Sequence, residues 1–515
     1  MQNHYVRVRN TLRGALFILT TLVASHVAAA TKENQIIQKT VTAYGGNTLL
    51  KLQSLTLNDS FYQYSQWQSS HALQGPMIGY LSEQQVRLSI DFVNHRKALR
   101  QATFRLVDGH GSEIPSVTHR LFTDTRGYSV DHALQVYYDA PAMTFDNADS
   151  GMSRLIDTLI VKQLYADKDH SEWRDIAYIQ GVPHDVLSVN SGQKNEYTVY
   201  LNQQNGYLSR VLRKQGAQLT TYNFLQHQRS GDLGWARQVF VSTPVRPVYH
   251  STNRTITFNT TQEGDFNLPE IYPQRSRSAV VDSTELTLQK LAKDVYWIGQ
   301  DWSYSLFIDM GDYYISAGAW QTDRESHAWQ NGLDLLHKTT GKNKPVKQHI
   351  VTHHHHDHMM GLHDVIKQGA ELVIHPNNIP AVQQHLSKPL SEQRFIPIAD
   401  TTLLANDKVM LFDVPNSHAN HNLVIYLPEQ KILFSEDMFG SGLQQGFHSP
   451  ANWPDLDTYN RLQTLNDKVT ALALDVEQYV SSHHARVLSQ QEIDQALSII
   501  VPKKQELLMR LFAEH

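Results

Sequence analysis

The stretch Gln348-His349-Ile350-Val351-Thr352-His353-His354-His355-His356-Asp357-His358 decides the reading of this chain. Ile350 and Val351 are apolar and β-branched, and Gln348 to Val351 reads as a strand. Gly361 opens a helical pattern that runs to Gln368 and stops at Gly369. The histidines therefore fall in the loop at a strand's C-terminal end, where α/β sheets hold their ligands. Within the loop, His353-x-His355-x-Asp357-His358 alternates ligand types. That spacing lets His353 and His355 face one metal ion while Asp357 and His358 face a second.

Working outward, the flanking grammar is that of a layered domain. Val295-Tyr296-Trp297-Ile298, Leu306-Phe307-Ile308 and Tyr313-Tyr314-Ile315 read as short strands. From Pro345 onward strands alternate with helices, and the amphipathic stretch from Gln490 to Phe512 reads as one closing helix. The preceding half reads differently. A helix from Asn34 to Tyr44 ends at Gly45-Gly46, and residues 47–265 then read as a mainly antiparallel β domain with no comparable helix inside it. Asn205-Gly206 marks a hairpin between two of its strands. The expected units are a signal peptide over 1–30, a β-rich domain over 31–265, a Pro-containing linker over 266–285, and a catalytic domain over 286–515.

Composition narrows the chemistry. The chain has 515 residues, no cysteine, 28 histidines and a net charge of −5. Without thiols, metal ligands must come from His, Asp and Glu. The acidic balance argues against a nucleic-acid partner. Arg7, Arg9 and Arg13 precede the apolar run Gly14 to Val23, and Val27-Ala28-Ala29-Ala30 supplies small residues for cleavage. This reads as an export signal, so the expected location is periplasmic or secreted. The run is shorter than the ~20 residues a membrane span needs, and no stable span is expected.

The His-x-His-x-Asp-His loop resembles the signature of the metallo-β-lactamase superfamily, over roughly Leu288 to Ser489. The resemblance implies an αβ/βα sandwich, making the chain α+β overall, and it implies three further ligands in order. Val414-Pro415-Asn416-Ser417-His418 nominates His418, and Ile432-Leu433-Phe434-Ser435-Glu436-Asp437 nominates Asp437 as a bridging carboxylate. Ser481-Ser482-His483-His484-Ala485 resembles the last motif. There Ala485 fits the small position after the ligand and favours His484, whereas a shift by one chooses His483. Glycines usual in the family are replaced by Ser417, Glu436 and His483, and Ser316-Ala317 stands where many members place an Asp.

On this resemblance a first zinc is held by His353, His355 and His418, and a second by Asp357, His358 and His484, with Asp437 between. Two Zn²⁺ ~3.5–4 Å apart share a hydroxide nucleophile near neutral pH, and Asp357 orients it. The implied activity is hydrolysis of an ester-like bond (thioester, lactone, amide or β-lactam) in a small molecule. A sulfate or phosphate ester hydrolase is the alternative within the class, and a binding or carrier protein with a non-catalytic metal site is the alternative outside it. Trp320 and the segment from Phe439 to His448 are candidate substrate contacts. The N-terminal half loosely resembles periplasmic lipoprotein-carrier half-barrels through Tyr44-Gly45-Gly46, Leu49, Leu52 and Leu55. That resemblance implies an apolar concave face able to take an acylated or apolar molecule.

Overall fold

The computed structural model describes residues 31–513 except 65–81, 106–114, 217, 245, 277–281, 323–324, 387–389, 392–393, 417, 440–455 and 499–501. The export signal therefore lies outside the described residues, as do 440–448 of the expected substrate segment. No described helix is long and apolar enough to cross a membrane.

Thr31 caps the first helix, Lys32–Ala43, by accepting from the Asn34 amide. Gly45 and Gly46 then turn the chain with φ of 116° and 57°. Behind them stands one sheet of 14 described strands, built from two antiparallel meanders. The first runs from Ser54–Gln63 to Val136–Asp139, and the second from Ser171–Ile179 to Pro247–Phe258. They join where Ser54–Gln63 pairs with Pro247–Phe258. The strand order runs linearly from Gln274–Arg275 at one edge to Ser171–Ile179 at the other, so the sheet is open and not closed into a barrel. Gln274–Arg275 comes from the expected linker and adds as a parallel edge strand beside Val136–Asp139.

Two details depart from the sequence reading. A helix, Asp157–Ala166, does interrupt the strands. Its Ile160, Val161 and Leu164 join Ile37 and Val41 of the first helix in a core with Leu55, Leu88, Val199 and Val239. Helices of the chain itself thus pack on the apolar side of this sheet. The Asn205-Gly206 hairpin is also wider than a two-residue turn. The Gly206 amide donates to the Asn202 carbonyl at 2.8 Å, and Gly206 rather than Asn205 takes a positive φ.

The C-terminal half is a four-layer sandwich. A seven-stranded sheet spans Thr287–Ala292 to Phe395–Pro397, and a five-stranded sheet spans Thr402–Leu404 to Gln478–Val480. Alternation along single strands sorts the layers. Val295 and Trp297 face the second sheet, against Leu411, Leu423 and Phe434. Tyr296 and Ile298 point the other way, onto Trp329, Leu333 and Leu336 of helix Ala328–Thr340. The second sheet's outer face packs Phe412, Val424 and Tyr426 on Leu462 and Leu465 of helix Leu456–Ala471 and on Ile493 of Gln490–Leu497. This is the period of two of a sheet covered on both faces.

The expected single closing helix is two, Gln490–Leu497 and Lys504–Phe512. Pro502 lies between them and cannot continue a helix. The second returns to the N-terminal sheet: Lys504 Nζ sits 4.8 Å from the Phe104 ring, and Arg510 donates to the His132 carbonyl at 2.9 Å.

Within the N-terminal core, Arg254 and Asp59 form an ion pair with both side chains fully buried, and the Tyr249 hydroxyl donates to the same carboxylate. Removing one partner of such a pair leaves an uncompensated buried charge, at about 3–5 kcal/mol. Arg254→Met is expected to lower the denaturant stability of the N-terminal transition by that amount. A loss under about 1 kcal/mol would contradict this role.

Candidate metal centre

Each side chain of the site leaves from the end of a strand. Val346–Val351 delivers the histidine loop, Ile432–Phe434 delivers Asp437, and Gln478–Val480 delivers the last motif. His418 lies in the turn between Val409–Asp413 and Leu423–Leu427. The two sheets place these ends together through specific bonds. The Leu423 amide donates to the Thr352 carbonyl at 2.8 Å, tying the His418 turn to the histidine loop. Asn416 shapes that turn, its Oδ1 accepting from the His418 amide at 2.8 Å. After the loop, the Gly361 amide donates to the Ala319 carbonyl at 3.0 Å. A Cβ at Gly361 would stand 2.8 Å from the Trp320 carbonyl oxygen, so glycine permits this approach.

Two groups of ligand atoms result, each within 4.8 Å of one another: His353, His355, His418 and Asp437, and Asp357, His358, His483 and Asp437. The Asp437 carboxylate belongs to both. Its Oδ2 is 2.7 Å from His418 Nε2, 3.4 Å from His353 Nε2 and 3.0 Å from His358 Nε2. Its Oδ1 is 2.7 Å from His483 Nε2. Asp357 Oδ2 lies 3.6 Å from His358 Nε2 and 3.7 Å from His483 Nε2. Six of the seven residues expected from the sequence therefore converge.

The seventh does not. His483, and not His484, completes the second group. The reason is local backbone geometry. His484 has a φ of 63°, donates its amide to the Trp302 carbonyl at 2.9 Å, and turns its ring away. Its Nδ1 is 2.6 Å from Asp282 Oδ2, and the same carboxylate accepts from the Ala485 amide at 2.8 Å. His483 is held the opposite way. Its amide donates to Ser481 Oγ at 2.9 Å, and its ring stacks on Trp302 with centroids 5.1 Å apart. Trp302, at the hairpin turn before Ser303–Asp309, is 40% exposed, so its indole borders the second group on the solvent side.

Charge and burial suit metal binding. Burial first, and then neighbouring His358 and His418, push the His353 imidazole well below its ordinary pKa. Burial with His418 and His353 does the same to His355. Both rings are therefore neutral, as metal ligands must be. Asp437 stays well below the usual carboxylate range: burial opposes its charge, but His358, His483 and His418 outweigh it. Burial likewise opposes a charged His358, yet Asp437, Glu436 and Asp357 raise its pKa well above normal. The carboxylates thus draw positive charge to this spot. His353 Nε2, His355 Nδ1 and Asp357 Oδ1 are buried without a hydrogen-bond partner, although buried polar atoms are ordinarily satisfied. Orphaned nitrogen and oxygen donors around shared carboxylates fit zinc ions.

Other sequence candidates fall differently. Trp320 is buried and donates through Nε1 to Ser305 Oγ at 2.7 Å, which makes it a core residue and not a substrate contact. Phe439 packs in the second sheet's outer core. Ser316, at the position where the family often has Asp, lies 2.8 Å from His349 Nδ1. Burial lowers the His349 pKa to about 3, so this is a neutral pair.

Residues 316–483, within the C-terminal sandwich, match the model of the metallo-β-lactamase superfamily. The hydroxyacylglutathione hydrolase of Aliivibrio fischeri (strain ATCC 700601 / ES114) is 26% identical over 136 residues, 26% of this chain and 47% of that protein. The one from Aliivibrio salmonicida (strain LFI1238) matches to the same extent, so the chain spans about half the length of these curated relatives. Similar solved structures include a metallo-β-lactamase from Pontibacter korlensis, 19% identical, covering 42% of this chain and 98% of that one with a TM-score of 0.33. Another, from Hirschia baltica, is 19% identical with a TM-score of 0.32, covering 42% and 99%.

The two neighbouring histidines give a clean test. His483→Ala should lower the metal content of the protein, whereas His484→Ala should leave it unchanged, as read by elemental analysis after dialysis. The reverse pattern would return the ligand to His484.

Proposed function

We propose that this chain is an exported hydrolase that holds two zinc ions and cleaves an ester-like bond (thioester, lactone, amide or β-lactam) in a small molecule. The observation that carries the reading is the Asp437 carboxylate shared by two complete ligand groups. The superfamily match of the same residues supports it, as does the likeness to proteins named for hydrolysing hydroxyacylglutathione, an acyl conjugate. Export rests on the N-terminal sequence pattern.

In this reading His353, His355 and His418 hold the first ion, and Asp357, His358 and His483 the second, with Asp437 binding both. Bound zinc supplies Lewis acidity and makes water acidic enough to serve as a nucleophile near neutral pH. The chain's own groups do the rest. Burial keeps His353 and His355 uncharged, so their lone pairs are available without a proton to displace. Asp357 is the most exposed carboxylate of the set, with a side chain 20% accessible against 5% for Asp437. It therefore faces the approach route, where it orients the attacking water and accepts its proton. The Trp302 indole over His483 supplies an apolar wall beside that route.

Zinc analysis alongside a hydrolysis screen tests the proposal. About two zinc per chain are expected, with acyl-bond cleavage that chelation abolishes and zinc restores. One metal or none after purification with zinc supplied would contradict the two-ion reading, and turnover confined to sulfate or phosphate esters would overturn the bond assignment. Asp357→Asn keeps the shape and removes the charge. It should retain the fold and the first ion, weaken the second, and lower turnover by about 10²–10⁴-fold.

A further inference from the structure

Glu436 takes the place of a glycine and lies next to Asp437, yet its carboxylate points to the far side of the histidines. It is 2% exposed. Its Oε2 is 3.0 Å from His358 Nδ1 and 3.8 Å from His353 Nδ1. The Thr352 hydroxyl donates to the same oxygen. With its proton so committed, Thr352 Oγ1 is left to accept, and His353 Nδ1 lies 3.0 Å from it. Two contacts therefore converge on one carboxylate: His358 directly, as an ion pair, and His353 through the hydroxyl of Thr352.

The consequence is a preferred tautomer at both rings once an ion binds. A proton kept on Nδ1 of each would leave Nε2 to ligate, in place of the proton that His358 Nε2 gives to Asp437 at 3.0 Å, and both Nε2 atoms face Asp437. These two histidines belong to different ligand groups. The Glu436 backbone also serves the site, since its carbonyl accepts from Ser481 Oγ at 2.6 Å, and Ser481 Oγ in turn holds the His483 amide.

We propose that Glu436 is a positioning residue common to both metal sites, setting the tautomer and orientation of one histidine in each, with Thr352 as the relay to the first. A carboxylate behind a ligating imidazole makes the ring a stronger donor, and losing such a partner typically costs about 10–100-fold in metal affinity. A single buried carboxylate that supports two ions makes their affinities fall together when it is removed.

The inference rests on the two-zinc reading, and the design separates the two. Zinc content of the unaltered protein tests that reading alone; the variants test Glu436 and Thr352 relative to it. Stepwise zinc affinities are measured by chelator competition on the full chain, with Co²⁺ absorption spectra to report ligand geometry at each site. Glu436→Gln should weaken both ions by about 10–100-fold, and Glu436→Asp should recover part of that loss. Thr352→Val should weaken the first ion and leave the second unchanged, and because it removes no charge it keeps the test open if Glu436→Gln fails to fold. Wild-type affinities for both ions in Glu436→Gln, or a Thr352→Val defect confined to the second ion, would overturn the proposal.

Discussion

The site depends on one carboxylate that has been taken out of water among imidazoles. Asp437 is buried, and burial alone would favour its neutral form. His358, His418 and His483 reverse that preference, and each lies within 3.0 Å of one of its oxygens. Holding an anion there requires that four separate strand ends meet at one point. The pairing of two sheets over the core of Trp297, Ile350, Ile425 and Phe434 provides that meeting. Apolar packing between the sheets therefore fixes the register in which the ligand loops face each other, and it is the link from hydrophobic burial to metal chemistry.

The histidine loop was legible because its information is contiguous. His353, His355, Asp357 and His358 lie within six residues, between a strand and a helix whose signals are strong. His418 and Asp437 were legible through the order of motifs. The choice between His483 and His484 was not. Adjacent residues differ only in which way the backbone turns them, and that turn depends on the Trp302 carbonyl and on Asp282, 202 residues upstream. A hint did exist: Ser482 is closer to the family's glycine than His483 is, and the structure follows that alignment.

Other misreadings have similar causes. Helix Asp157–Ala166 carries Ile160-Val161, a β-branched pair that reads as strand, although Leu164 completes a helical spacing with Ile160. Glu436 registered only as a departure from glycine. Its partners, Thr352 and His358, are some 80 residues away, so nothing in the local sequence could show that it faces two ligands at once. The packing of Lys32–Ala43 and Asp157–Ala166 on the N-terminal sheet was illegible for the same reason, because the two helices come from distant parts of the chain.

Two ions are expected to sit around Asp437. Anomalous diffraction from zinc-loaded crystals measures this most directly. Two peaks should flank the Asp437 carboxylate, one bounded by His353, His355 and His418 and the other by Asp357, His358 and His483. A single peak, or a second peak between His484 and Asp282, would contradict the account.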